Sequence, residues 1–452
     1  MIENNETVQS LKERELFQLS EDAQKEWGQI ESELFAPKFQ SDEEKELFLK
    51  ECFEGKRKFP WHAQGQSIKV TDTKLVNAVI PAGGIGILGG TGTGRPDYET
   101  EMNVTESGDK IPSKTVRIEI GQNRNKEAIL KEIEAVRKEH PYAILGVNVL
   151  YAIGDFEEIV RAIGDQGMVD VLYVGAGAPY DLSKIMEKYP QMRYMAIVSS
   201  AQAVRLLEDT GERCKSKGTR RPDGYVYEDK IAAGHNAIIN PRKDKSAADH
   251  IREMQAETSK PIIFAGGVKY QEDVQKALLP KEYGGLGVNG VGLGTRVTIT
   301  DECPIPNETL KDIHLNSAIP VVRREKFSPT GLPSTGKINE KEFWDKVEEL
   351  KNSTKRRCND CLIKPEARKN YPELAHCKFI SVKPEDADYQ FCIGPFLDAA
   401  IRGEPWAIYF MSVINEKDPI YLDKNGEARV PTVSEMVGYI IRNEVPEWAD
   451  KE

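Results

Sequence analysis

The stretch PIIFAGGVKYQEDVQKALLPKEYGGLGVNGVGLGTRV, residues 261–297, contains two short apolar runs that are each rich in glycine. A segment with helical spacing of its apolar residues, QEDVQKALLP, separates PIIFAGGV from GVNGVGLGTRV. Runs that are apolar on both faces and alternate with helical segments are typical of parallel strands in a covered sheet. The stretch therefore predicts a βα unit followed by another parallel strand.

The same alternation extends through the middle of the chain. Apolar runs at 142–150, 169–179 and 193–200 are each followed by an amphipathic stretch, IGIL at 85–88 predicts an earlier strand, and GYVYEDKIA at 224–232 predicts a weak one. The number and total span of these units favour an α/β fold of the (β/α)8 TIM-barrel type over an open sheet. We expect a helical N-terminal extension, a barrel and a smaller mixed C-terminal segment, at residues 1–58, 59–325 and 326–452.

Composition narrows the class of protein. The chain has 452 residues, and 62 Lys and Arg against 73 Asp and Glu give a net charge of −11. An acidic chain argues against non-specific binding to nucleic acid or anionic membranes. Neither a membrane-length apolar run nor a signal-peptide pattern is present, and seven cysteines do not make a disulfide scaffold. We expect a cytoplasmic protein without nucleic-acid or membrane partners, and homo-oligomer formation stays open.

The chain contains two copies of the dinucleotide fingerprint G-x-G-x-x-G. One is Gly84, Gly86 and Gly89 within AGGIGILGG, and the other spans residues 285–290. A true fingerprint follows a strand and opens a helix, whereas a helical stretch at 72–82 precedes the first copy and the second copy runs into the last strand. We therefore predict helix-to-strand turns here rather than a Rossmann nucleotide site.

Glycines at the ends of the last two predicted strands indicate a different site. Gly266 and Gly267 follow one strand, and Gly294 and Thr295 follow the next. Barrels commonly bind phosphate at the loops after strands seven and eight, where backbone N–H groups approach the oxygens if no side chain intervenes. The pattern predicts a ligand with a phosphate monoester, and two ordinary βα turns are the alternative.

Two further segments stand apart from the barrel pattern. The polar, glycine-rich segment 89–114 is predicted to be a long loop, with a lid as one interpretation. A cluster near the C-terminus consists of Cys358, Cys361, Cys377 and Cys392. Zinc or an iron–sulfur cluster is one interpretation, but only the first pair has the Cys-x-x-Cys spacing. We predict free thiols and no bound metal.

In this order, the motifs resemble those of the nitronate monooxygenase (2-nitropropane dioxygenase) family of FMN-dependent TIM barrels, which is related to flavin-dependent enoyl-acyl carrier protein reductases. AGGIGILGG, ILGVNVL, AAGHNA, FAGGV and GLGTR carry the resemblance, which runs from about Phe59 to Cys303. HAQGQS and AIVSS depart from the family pattern. In the first stretch only Gly65 carries over, and in the second Ser199 and Ser200 have no matching role. The resemblance implies FMN as the cofactor. The cofactor-binding residues that it implies are Gly65, Asn148, Gly234, Gly266, Gly267, Gly294 and Thr295.

The resemblance also implies a catalytic residue. His235 in AAGHNA matches the family's catalytic base, and a neutral imidazole, with an ordinary pKa near ~6.5, suits proton abstraction near neutrality. The expected function is FMN-dependent oxidation of nitronates or nitroalkanes, with a small-molecule substrate and O2 as partners. Two alternatives stay open: an NAD(P)H-dependent enoyl-thioester reductase on the same scaffold, and a non-catalytic protein that binds a phosphate ligand.

Overall fold

The computed structural model describes residues 19–94, 114–179, 181–209, 218–235, 245–315, 319, 321–324, 334–352, 380–381, 390–391, 394–412 and 414–446. Its central sheet consists of eight parallel strands: β1 (His62–Ala63), β2 (Gly86–Gly89), β3 (Leu145–Leu150), β4 (Val171–Gly175), β5 (Arg193–Val198), β6 (Gly224–Glu228), β8 (Ile262–Ala265) and β9 (Gly290–Leu293). The described strands outside this sheet are β7 (Gly234–His235), β10 (Val321–Arg324), β11 (Ser334–Lys337), β12 (Ile380–Ser381) and β13 (Gln390–Phe391).

The eight strands close into a barrel. Their order is β1-β9-β8-β6-β5-β4-β3-β2, with parallel pairing throughout. A parallel bridge between His62 and Ile85 joins β1 to the residue before β2. The predicted (β/α)8 fold is confirmed, and the segment predicted as a weak strand supplies a full barrel strand, β6.

Helices surround the barrel. The described helices are α1 (Glu21–Glu33), α2 (Asp42–Phe53), α3 (Thr73–Val79), α4 (Lys114–Glu139), α5 (Phe156–Gln166), α6 (Leu182–Met186), α7 (Ala201–Glu208), α8 (Ala247–Glu257), α9 (Gln271–Leu278), α10 (Thr295–Thr298), α11 (Asn307–Leu310), α12 (Glu340–Asn352), α13 (Gly394–Ile401) and α14 (Val433–Ile441). Helix α14 contacts both α3 and α9, and so fills the place of the helix between the last strand and the first. Among these helices, none has the length and apolar character that a membrane span requires.

The first glycine fingerprint lies at a helix-to-strand junction, as predicted. Helix α3 ends at Val79, and the chain turns through Gly83, whose φ of +81° favours glycine, before it enters β2. The Gly83 and Gly84 N–H groups donate to the carbonyls of Ile80 and Val79, which is the usual way to close a helix C-terminus. This fingerprint therefore has a structural role in the turn.

The amino end of the barrel is closed by α2. Phe48, Leu49 and Cys52 of this helix pack in one buried cluster with Phe59 and with inward-facing strand residues such as Ile263. Burying side chains of this size contributes about 1.5–3 kcal/mol each. Among the described residues this end is sealed by apolar packing, which leaves the opposite, carboxyl end of the barrel as the candidate site.

Two of the predicted features lie outside the described residues. These are the larger part of the predicted loop, residues 95–113, and the four cysteines of the C-terminal cluster. Both therefore stay predictions. Within the ranges that the structure describes, no group of three or more His, Cys, Asp or Glu side chains could hold a metal ion.

A buried ion pair connects the C-terminal segment to the last barrel loop. The Nη2 atom of Arg296 in α10 lies 2.6 Å from Oδ2 of Asp418, and both side chains are almost completely buried. Asp418 also accepts hydrogen bonds from Tyr270 and Asn415. The guanidinium lies over the rings of Tyr270 and Tyr421 at 5.3 and 5.2 Å. The pair thus holds segment 415–421 against the loop that follows β9.

We expect Asp418→Ala to destabilise the protein by about 3–5 kcal/mol, because it leaves a buried guanidinium without its counter-charge. Urea unfolding measures the change. The exposed pair between Lys341 and Asp345, 2.6 Å apart, offers a control. Asp345→Ala is expected to cost under about 1 kcal/mol, as exposed pairs usually do. Equal losses in the two variants would contradict the role given to Asp418.

Candidate active site

The residues that the sequence singles out lie at or beyond the carboxyl end of the barrel. Asn148 is within β3, and the other barrel positions come within two residues of a strand end: Gly65 after β1, Gly266 and Gly267 after β8, Gly294 and Thr295 after β9. In (β/α)8 barrels this is the end that carries the active site, because eight βα loops converge there. The arrangement brings these six residues to one face of the molecule.

Asn148 and Gly65 form the part of the site nearest β2. The Asn148 Nδ2 atom donates a 2.8 Å hydrogen bond to the Gly65 carbonyl. A Cβ atom on Gly65 would lie 2.8 Å from Asn148 Cβ and from Ile87 Cγ2, so no side chain fits there. The Asn148 Oδ1 atom is buried and has no hydrogen-bond partner among the described residues. This oxygen is an available acceptor for a ligand N–H group.

Two neighbouring glycine segments follow β8 and β9, across the mouth from β3 and next to Gly65. Strands β8 and β9 pair in parallel, with Ala265 opposite Gly292, so the segments that follow them are neighbours. Gly266 and Gly267 have φ values of +106° and +78°, which disfavour any residue with a Cβ. A Cβ on Gly294 would lie 3.0 Å from the Gln64 side-chain oxygen. The loops leave backbone groups accessible, which is what an anion-binding loop requires.

Gly234 and His235 lie outside the barrel sheet. They form β7, which pairs antiparallel with β11 through Ser334 and Thr335. The His235 ring packs edge-on against Phe410 with 5.8 Å between centroids, and its Nε2 atom has no hydrogen-bond partner among the described residues. Burial lowers the pKa of His235 to about 4. The imidazole is therefore neutral at pH 7.

Hydrogen bonds connect this second sheet to the glycine loops. Lys337 of β11 exchanges backbone hydrogen bonds with Tyr409, which adds segment 409–412 to the sheet. Ser412 then donates its backbone N–H to Thr295 Oγ1 at 2.9 Å. A Cβ on Gly266 would lie 3.1 Å from Ala232, three residues before His235. His235 is thus held on the same side of the mouth as the loops after β8 and β9.

Sequence reasoning missed three polar residues at the mouth. Gln64 directly follows β1, and its side chain lies beside Gly294, which follows the adjacent strand β9. Ser412 hydrogen-bonds to Thr295, which lies 117 positions earlier in the chain. Glu228 is the last residue of β6, two positions after Val226, which packs inside the barrel. The alternation of strand side chains could have revealed Glu228, because residues i and i+2 share a face. Nothing local in the sequence indicates Ser412.

Two other polar residues of the barrel have structural roles. Ser200 is the N-cap of α7, where its side chain accepts a hydrogen bond from the Ala203 N–H. His62 lies inside the barrel, with ring centroids 5.6 Å from Phe59 and 5.7 Å from Tyr173. Burial lowers the pKa of His62 to about 3, so its ring is a neutral part of the core.

The strands form a (β/α)8 barrel with the candidate site at its carboxyl end. The family model for nitronate monooxygenase matches residues 51–328. The chain belongs to this family, and the protein is therefore a flavin-dependent oxidoreductase built on a (β/α)8 barrel.

Individual relatives are more distant. The chain is 30% identical over 155 residues to an inosine-5'-monophosphate dehydrogenase from Chlorobaculum parvum, a match that covers 33% of this chain and only 28% of that relative. The structure of FabK from Thermotoga maritima has a TM-score of 0.52 at 16% identity and covers 87% of this chain and 94% of that chain. A nitroalkane oxidase from Streptomyces ansochromogenes has a TM-score of 0.48 at 14% identity, with 86% and 96% covered. The FabK likeness supports the barrel fold.

Proposed function

We propose that this protein is an FMN-dependent oxidoreductase that oxidises nitronates or nitroalkanes with O2 as the electron acceptor. The observation that carries the proposal is the pair of adjacent loops at Gly266–Gly267 and Gly294–Thr295, which have little or no side chain where an anion would bind. One such cradle suits the single phosphate monoester of FMN. The dehydrogenase relative is also named for a 5'-monophosphate.

The other side of the mouth suits the ring of the same cofactor. The buried and unpartnered Oδ1 atom of Asn148 is an acceptor, which the N–H group of a flavin ring would satisfy. The lack of a side chain at Gly65 lets Asn148 pack directly against the segment that follows β1. When bound, FMN supplies the two-electron redox chemistry, and the protein supplies orientation and proton transfer.

His235 is the residue that we assign to proton transfer. Its neutral imidazole has an unpartnered Nε2 atom, which can accept the proton on the acidic carbon of a nitroalkane. A nitronate has already lost this proton and would need only orientation. Phe410 and the pairing of β7 with β11 hold the ring in place, so little reorganisation is needed for the transfer.

One observation favours a second candidate, an NAD(P)H-dependent enoyl-thioester reductase. Burial lowers the pKa of His235 to about 4, which makes the imidazole a weak base and its protonated form a strong acid. Such a group is better suited to donate a proton or a hydrogen bond to a carbonyl substrate than to abstract one. This alternative uses the same flavin site and differs in the electron donor.

The absorbance spectrum of the purified protein tests the proposal first, because bound FMN gives a yellow protein. Anaerobic mixing with a nitroalkane, its nitronate or NADPH then identifies the electron donor from the bleaching of the flavin. We expect bleaching by the nitro compounds. Bleaching by NADPH alone would favour the reductase, and a protein that binds no added FMN would overturn both assignments. A cytoplasmic location belongs to the same proposal, and homo-oligomer formation stays open.

A further inference from the structure

Glu228 is an acidic side chain at the mouth of the barrel that the proposed chemistry does not use. Glu228 is the last residue of β6. The side chains of Tyr225 and Tyr227 point outward from this strand, because Tyr225 donates a hydrogen bond to Glu208 at 2.6 Å and Tyr227 donates one to Asp229 at 3.0 Å. Val226, between them, packs with the inward-facing residues of the barrel. Glu228 shares the face of Val226, so its carboxyl group is directed into the barrel mouth.

The neighbours of Glu228 place it beside the phosphate loops. Its backbone pairs with Ala265 of β8, the residue directly before Gly266. Ala265 is also inward-facing and buried. Gly266 also packs against Asp229, the residue after Glu228, since a Cβ placed on Gly266 would lie 3.2 Å from Asp229 Cβ. Glu228 therefore lies beside Gly266 of the candidate phosphate site, and its carboxyl group is on the side of that loop that faces the barrel interior.

No hydrogen bond or ion pair of the Glu228 carboxyl group is found within the described residues. Burial raises its pKa to about 8. At pH 7 the group is consequently a neutral carboxylic acid, and its O–H donor has no acceptor among the described residues. A half-buried donor of this kind at the barrel mouth is available to an acceptor on a bound ligand.

We propose that Glu228 donates a hydrogen bond to the flavin ring and so stabilises the reduced cofactor more than the oxidised one. The inference rests on the proposed FMN site. Two-electron reduction adds negative charge to the ring's oxygen and nitrogen atoms, and a fixed O–H donor interacts more strongly with the charged form. Gln64 and Asn148, at the other strand ends, would bind the ring in both oxidation states.

The midpoint potential of bound FMN tests this proposal in the full-length holoprotein. We expect Glu228→Leu to weaken the preference for reduced over oxidised FMN by about tenfold, which is about 30 mV lower for a two-electron couple. Glu228→Gln keeps an N–H donor of the same reach and should restore most of the potential. Asp229→Asn changes the neighbouring acid on the opposite face of β6 and should leave the potential unchanged.

A second measurement tests the inference even if the Glu228→Leu variant does not fold. The reduced-minus-oxidised infrared difference spectrum of the parent protein should contain a shifted carbonyl band of a protonated carboxyl group, and Glu228→Gln should remove it. A potential unchanged in Glu228→Leu, or a carboxyl band that survives in Glu228→Gln, would overturn the inference while FMN stays bound. A parent protein that binds no FMN would instead overturn the proposed function on which the inference rests.

Discussion

Gly267→Val is expected to purify without flavin and to bind added FMN at least about 100-fold more weakly than the parent, because hydrogen bonds to a charged group contribute about 1.5–3 kcal/mol each and two or more would be lost. We expect the valine methyl groups, which extend beyond the Cβ position, to enter the space that we propose for the phosphate oxygens. Flavin absorbance per mole of purified protein measures the first effect, and quenching of FMN fluorescence during titration measures the second.

The backbone of Gly267 needs its own control, since its φ of +78° strains any residue with a Cβ. Gly287 has a similar φ of +67°, with no atom within 4 Å of its Cβ position and no place in the proposed site. Gly287→Val should therefore retain FMN. A Cβ on Gly267 would also lie 2.3 Å from the half-exposed Ile231 side chain. The double variant with Ile231→Ala removes this contact, and full recovery of FMN binding there would contradict the phosphate assignment.

The sequence predicted the barrel well because its strands carry their own signal. A parallel strand covered on both faces must be a short apolar run, and β3, β4, β5, β8 and β9 all lie within such runs. The glycine loops were predictable for a related reason. A backbone that adopts positive φ favours glycine, so the positions of Gly266 and Gly267 could be identified from the residue type alone.

The remainder of the fold depends on contacts between distant segments, which leave no local pattern. Strand β7 has only two residues, and it exists because β11 pairs with it about 100 positions later. Helix α14 completes the ring of helices from the far end of the chain, and Asp418 neutralises Arg296 across 122 positions. A sequence motif cannot record such pairings, since each partner alone is an ordinary residue.

The candidate site contains residues with a local sequence signal and residues whose properties depend on tertiary packing. Asn148 and the glycines stood out in the sequence, whereas the chemistry of His235 and Glu228 is set by burial, which shifts their pKa values to about 4 and about 8. An ordinary pKa near ~6.5 was the expectation for His235. The desolvation that lowers this pKa comes from tertiary packing, and it alters what the imidazole can do at neutral pH.

The pH dependence of the reaction follows from this shift. A histidine with a folded-state pKa of about 4 stays unprotonated from pH 8 down to about pH 5 and takes up a proton only as the pH falls through 4. Oxidation of a neutral nitroalkane should therefore keep its rate over that range and lose it below about pH 4. An acid limb near pH 6.5 would mean that the bound cofactor or substrate restores the ordinary pKa.

His235→Ala is expected to slow flavin reduction by a neutral nitroalkane by about 10²–10⁴-fold, the usual contribution of a positioned general base. Reduction by the pre-formed nitronate should change far less, because its proton is already absent. FMN content should stay the same, since we propose that other loops hold the phosphate. His140→Ala is the matched control: His140 lies between α4 and β3, at the amino end of the barrel, and its loss should affect neither substrate. Stopped-flow absorbance under anaerobic conditions measures the rates of the parent and both variants with each substrate. Equal losses with the nitroalkane and its nitronate would assign His235 to substrate orientation, and unchanged rates with both would exclude it from the mechanism.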